Sequence, residues 1–291
     1  MLPRQHLRLT KTVGVGFWAG EFGRLGVCMS ADIGESSSRS RIPYGPVPQQ
    51  FGELTVPPGA GPHPVVAFIH GGFWRDRYGL DLAEPQAVDV AANGWATWNI
   101  EYRRVGHPGG GYPGTLTDVA DAIDHLHEIA DEHRIDTERV ALVGHSAGGH
   151  LALWVGQRSR LPADSDWNLP RVKPRLVVGQ AAVSDLASAA ADGLGSGAVV
   201  AMMGGGPNAV PERYDIADPA RLLPVDVPQL IVHGSADDDV PLALSRAYAR
   251  LADSERVDLV EFAGADHFDM IDPSHDSWNV VKRRISRLLS V

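Results

Sequence analysis

Short runs of β-branched and apolar residues alternate along the chain with longer stretches in which apolar positions recur every three or four residues. The first pattern belongs to strands buried on both faces, the second to amphipathic helices. Val65-Val66-Ala67-Phe68-Ile69 is such a strand and runs into His70-Gly71-Gly72. Further strands are predicted at 95–101, 140–143, 176–178, 230–232 and 257–262. Between them, Leu116, Val119, Ala120, Ile123, Leu126 and Ile129 form one apolar helix face with Asp118, Asp121 and Asp124 on the other, and 147–155, 243–251 and 280–289 behave likewise. This alternation predicts βαβ units, hence an α/β fold with a mostly parallel central sheet flanked by helices.

Two regions break the pattern. Residues 1–43 carry scattered basic residues, several glycines and a polar run from Glu35 to Arg41, which predicts a disordered or dispensable lead-in. Met29 reads as an alternative start, with residues 1–28 dispensable upstream sequence. Residues 44–291 then form one domain. Within it, 186–223 is rich in Ala, Gly and Met and predicts a small cap-like insertion holding a short helix or two over a pocket.

Charge narrows the partners. The net charge of −10 divides into +3 for residues 1–28 and −13 for the remainder. Such acidity opposes nucleic acid or an anionic membrane as a partner. No window approaches the ~20 apolar residues a membrane-spanning helix needs. Cys28 is the single cysteine, which rules out an intramolecular disulfide and any CxxC motif and accords with a reducing, cytoplasmic location. His127-Glu128-Ile129-Ala130-Asp131 lacks the second histidine of a zinc helix, and neither glycine triplet (109–111, 204–206) is followed by the Lys-Ser/Thr of a phosphate loop. No metal or cofactor is expected.

The most specific chemistry is Gly144-His145-Ser146-Ala147-Gly148, a G-x-S-x-G between a predicted strand and a predicted helix. A sharp strand-to-helix turn exposes the central side chain, so Ser146 is the candidate nucleophile. The Ala147 N–H at the helix start is a candidate oxyanion donor. His267, after the strand at 257–262, is the candidate base. Asp237, first of the acids in His233-Gly234-Ser235-Ala236-Asp237-Asp238-Asp239, is the candidate orienting acid, while Asp238 and Asp239 read as a solvated turn. Gly72 and Phe73, with Gly71 less favoured, supply further donors at the end of the 65–69 strand. His145 and the adaptable Met202 are placed at the substrate pocket.

Together HGGFW at 70–74, GHSAGGH at 144–150, HGSADDDVP at 233–241 and DHFDMIDP at 266–273 resemble the α/β-hydrolase superfamily. Within it they resemble the branch of kynurenine formamidase (arylformamidase) and the small carboxylesterases of hormone-sensitive-lipase type. The resemblance spans about residues 44–290 and implies Ser146, Asp237 and His267 as a catalytic triad. It also implies Trp74 and Phe268 beside the acyl or leaving-group pocket. Phe73 stands where lipase-type HGGG has its third glycine, a departure that favours the formamidase or feruloyl-esterase-like branch. The expected function is a serine hydrolase of small carboxylic esters, with N-formyl aromatic amides as the alternative substrates. A non-catalytic binding module is the alternative of another class. The expected partner is a small-molecule ester or amide substrate.

Overall fold

The computed structural model describes residues 37–253 and 255–289, so the expectations about residues 1–28 and Met29 lie outside it. Eight strands form one sheet: β1 (Ser38–Pro43), β2 (Phe51–Val56), β3 (His63–Ile69), β4 (Ala96–Ile100), β5 (Ile135–His145), β6 (Leu176–Gln180), β7 (Gln229–Gly234) and β8 (Val257–Phe262). The helices are α1 (Glu84–Ala92), α2 (Gly114–His133), α3 (Ala147–Gly156), α4 (Leu186–Ala191), α5 (Leu194–Met203), α6 (Pro211–Ala217), α7 (Leu242–Leu251) and α8 (Asp276–Leu289). Strand order is β1-β2-β4-β3-β5-β6-β7-β8, antiparallel at β1–β2 and β2–β4 and parallel elsewhere. Among the described residues no helix is long and apolar enough to cross a membrane.

Side-chain alternation along the central strands builds two cores. Val65, Ala67 and Ile69 of β3 and Val140 and Leu142 of β5 are buried with Leu116, Val119 and Ile123 of α2 and Leu151 of α3. Their neighbours Val66, Phe68, Ala141 and Val143 are buried on the opposite face with Ala87 and Val90 of α1 and Trp278, Val281 and Ile285 of α8. A strand covered on both faces has no polar side, which explains the near-continuous apolar runs.

The lead-in boundary needs correction: Ser38–Pro43, expected to be disordered, is strand β1, paired with β2 from Ser38↔Val56 to Pro43↔Phe51. Its residues are mostly exposed, so it carries no apolar signal. Helix α1, also unpredicted, contributes only four buried positions. The insertion holds three short helices, α4, α5 and α6.

This topology places the chemistry. From β3 the chain crosses to β4 on one side and then returns to β5 on the other, so the order reverses between β3 and β5. The crevice beyond the C-terminal ends of parallel strands at such a reversal is where α/β proteins hold ligands. Ile69 pairs with Gly144 there, which sets the turns after β3 and β5 side by side.

Candidate active site

Ser146 links β5 to α3 with φ 56° and ψ −120°, a strained conformation for a residue with a Cβ. The turn closes only because its neighbours are glycines. A Cβ on Gly144 would lie 2.1 Å from the Gly148 carbonyl oxygen, and one on Gly148 would lie 2.0 Å from that of Ile69. Backbone bonds hold the serine: its N–H donates to Gln180 (2.8 Å) and its carbonyl accepts from His150 (3.1 Å). The side chain makes no capping bond to α3, so the hydroxyl is not occupied by the helix.

The turn after β3 lies against it. A Cβ on Gly71 would come within 3.1 Å of the Ser146 Cβ. Gly72, Phe73 and Trp74 follow with φ of 110°, 52° and 53°, a run of left-handed backbone. Among the described residues the N–H groups of Gly72, Phe73 and Ala147 take no backbone acceptor.

A buried polar network supports this turn. The His70 ring reaches the Gly71 carbonyl (2.8 Å) and Glu101 Oε1 (3.1 Å), and Tyr102 stacks on it at 4.4 Å while donating its hydroxyl to the His70 carbonyl (2.7 Å). Glu101 also pairs with Arg104 at 2.9 Å. Burial pushes the Glu101 carboxyl up, but the hydrogen bond and charge of His70 and the charge of Arg104 outweigh it and hold the group below the usual carboxylate range.

Asp237 and His267 come from the loops after β7 and β8, at the same sheet edge. His267 Nδ1 donates to Asp237 Oδ2 at 2.7 Å, and the Asp237 carboxylate is wholly buried. Burial raises this carboxyl, yet the bonds from His233 and His267 hold it well below the ordinary range. Asp238 and Asp239 are exposed, as a solvated turn requires. Among the described residues the Ser146 hydroxyl makes no hydrogen bond to His267. The histidine–aspartate link is formed and the serine–histidine link is not.

Of the remaining candidates, His145 and Phe268 adjoin His267, whereas Trp74 and Met202, expected at the substrate pocket, are enclosed in the core. His145 lies beneath His267, ring to ring at 4.4 Å, and donates from Nε2 to the His267 carbonyl at 3.0 Å. Burial, aided by the neighbouring His267, pushes its pKa down to about 3, so the ring is neutral and occupied with the His267 backbone. Trp74 is fully buried and meets His150 edge-on at 5.3 Å. Met202 is buried within the insertion. Phe268 is 58% exposed and stands edge-on to His267 at 5.4 Å. The insertion reaches Phe73: Arg75 donates to the Gly195 carbonyl, and a Cβ on Gly195 would meet the Phe73 ring at 2.5 Å.

Sequence reasoning overlooked Glu101 and His233. Glu101 ends a strand pattern without any motif, whereas His233 stands four residues before Asp237, a spacing that could have flagged it. The acidic, histidine-rich helix α2 does structural work. Asp124 accepts from Arg158 (2.8 Å) and the Arg171 N–H (2.9 Å), and His125 meets Glu128 at 3.1 Å.

A family model described as BD-FAE matches residues 54–251, more than half of the chain. Among curated proteins, the chain is 28% identical over 256 residues to Esterase LipC of Mycobacterium tuberculosis, covering 80% of this chain and 60% of that one. A kynurenine formamidase of Meyerozyma guilliermondii is 36% identical over 96 residues, covering 33% of this chain and 34% of that one. The chain thus spans less than two thirds of the length of these relatives. Among solved structures, a truncated carbohydrate esterase from gut microbiota superposes with a TM-score of 0.76 at 17% identity, covering 90% of this chain and 99% of that one. At that identity the likeness concerns the fold, which is that of α/β-hydrolases.

Proposed function

The chain belongs to the BD-FAE family, and on that premise we propose that it is a serine hydrolase that cleaves small carboxylic esters through Ser146, His267 and Asp237. The observation that carries this reading is the 2.7 Å bond from His267 to Asp237 at the sheet edge where Ser146 occupies its strained turn. Similarity to an esterase over 80% of the chain supports it.

In this mechanism His267 Nε2 accepts the Ser146 proton as Oγ attacks the ester carbonyl carbon. The negative oxygen of the tetrahedral intermediate is received by the N–H groups of Gly72, Phe73 and Ala147. Asp237 holds the imidazole and stabilises its positive charge. His267 then protonates the departing alcohol oxygen, and the C–O bond breaks to leave an acyl-Ser146. Water, deprotonated by His267, attacks the acyl carbon and releases the acid with Ser146 reprotonated.

A fluorophosphonate probe is expected to label Ser146, and Ser146→Ala to abolish labelling and lower kcat on p-nitrophenyl acetate by about 10⁴- to 10⁶-fold. Near-normal turnover by that variant sinks the assignment, and absence of any adduct favours a binding module. The formamidase reading has its own support in the 36% identity to a kynurenine formamidase. A kcat/KM for N-formyl-kynurenine above that for short acyl esters would select it.

A further inference from the structure

Asp237 is held by more than its triad partner. Oδ1 accepts the N–H groups of Asp239 (2.9 Å) and Val240 (2.8 Å), and Oδ2 is shared between His267 Nδ1 (2.7 Å) and His233 Nε2 (3.1 Å). His233 lies on β7, whose residues are buried throughout, and its side chain is fully enclosed. An apolar residue would fill such a strand position at less cost, so a histidine there calls for a polar reason. Its ring is tethered at both nitrogens: Nε2 also meets the Val240 carbonyl at 2.9 Å, and Nδ1 meets the Ser245 hydroxyl of α7 at 2.8 Å. Nε2 faces only acceptors, Val240 O and Asp237 Oδ2, and therefore carries a hydrogen, while Nδ1 receives the hydroxyl hydrogen of Ser245.

We propose that His233 is a positioning residue that fixes the plane of the Asp237 carboxylate and, through it, the orientation of His267. The inference rests on the reading of Asp237 and His267 as the acid and base of the site. Two N–H donors on Oδ1, the His267 donor on Oδ2, and the His233 N–H edge 3.1 Å from Oδ2 while bonded to the Val240 carbonyl leave the carboxylate little freedom to rotate about its final bond. Without the His233 N–H, the Val240 carbonyl loses its donor and Oδ2 loses the electropositive edge beside it, leaving only the donor whose orientation it is meant to set. Val240 couples the two ends, since its N–H binds Asp237 while its carbonyl binds His233, closing the 237–240 turn onto the strand. Ser245 extends the support to α7, so the triad acid is braced by a strand, a turn and a helix.

The test compares kcat and KM on p-nitrophenyl acetate for His233→Phe, His233→Asn and His233→Gln, each with and without Asp237→Ala. His233→Phe and His233→Asn, which cannot donate at the Nε2 position, are expected to lower kcat about 10- to 100-fold with KM nearly unchanged. His233→Gln, whose amide nitrogen reaches that position, is expected to recover most of the loss. In the Asp237→Ala background His233→Phe is expected to cost little more, because the group it positions is gone. Full kcat in folded His233→Phe overturns the proposal, as does an undiminished loss in the Asp237→Ala background. Should His233→Phe not fold, full kcat in His233→Asn overturns it equally. Full activity of Asp237→Ala alone removes the triad reading beneath it; an inactive Asp237→Ala beside fully active His233 variants removes only the positioning role.

Discussion

At the scale of single residues, the site is a set of conformations the backbone would not adopt unaided. Ser146, Phe73 and Trp74 all hold positive φ, and each such non-glycine residue costs on the order of 1–3 kcal/mol that the surroundings must offset. Glu101 supplies part of that offset, with His70, Arg104 and the Tyr102 N–H all on its carboxylate. Glu101→Leu is expected to leave a buried guanidinium unpaired, lowering stability by about 3–5 kcal/mol in urea unfolding, and to depress kcat/KM as the turn after β3 relaxes. An unchanged unfolding midpoint would show that Arg104 finds another partner. The placement of Ser146, Asp237 and His267 at strand ends was legible in the sequence because each sits in a local motif whose backbone demands are written in adjacent residues. Glu101 was not, because Tyr102 and Arg104 beside it form no motif and His70 reaches it only when β3 and β4 pair.

Elements were legible where they carry a continuous apolar run. The runs of β3 to β8 announced themselves, whereas the alternating β2 and the mostly exposed β1 did not. The insertion was visible as a break in the alternation, but not its use. Gly193, Gly195, Ser196 and Gly197 all hold left-handed φ, and this stretch rests on Phe73, whose N–H is a proposed oxyanion donor. Gly195→Ala and Gly197→Ala separate the two consequences. Both add a Cβ at positive φ, but nothing lies within 4 Å of the one on Gly197, while the one on Gly195 meets Phe73 at 2.5 Å. Gly197→Ala is expected to lower only the melting temperature. Gly195→Ala is expected also to lower kcat by about tenfold or more, short of the 10²- to 10³-fold loss of a whole donor. Equal kinetics for the two variants would detach the insertion from catalysis.

Across the whole molecule, buried ionisable groups set the response to acid. Burial pushes His145 down to about 3 and His150 down to about 4, whereas unfolded histidines titrate near ~6.5. Between roughly pH 6.5 and 4 the unfolded chain therefore binds up to about two more protons, and stability falls on acidification by up to about 2.7 kcal/mol per pH unit. Asp218, raised by burial to about 6, acts in the opposite sense: its folded form gains a proton first, offsetting about one of the two between roughly pH 6 and 4. Asp237, held low, adds its loss only as pH falls below the ordinary carboxylate range of ~3.9. The urea midpoint is thus expected to fall from pH 6.5 to 4, with a slope reduced by about one proton in His150→Gln, which keeps a donor for the Ala217 carbonyl. A midpoint flat over that window would contradict the burial of these rings. At the rim of the sheet, the composition that hid β1 has a use of its own. Ser38-Arg39-Ser40-Arg41-Ile42-Pro43 is the terminal strand among the described residues, with Arg39 anchored to Glu53 and Glu84. Two guanidinium groups and a residue without an N–H make that rim a poor template for a neighbouring chain, so the polar run works as a gatekeeper against edge-to-edge aggregation.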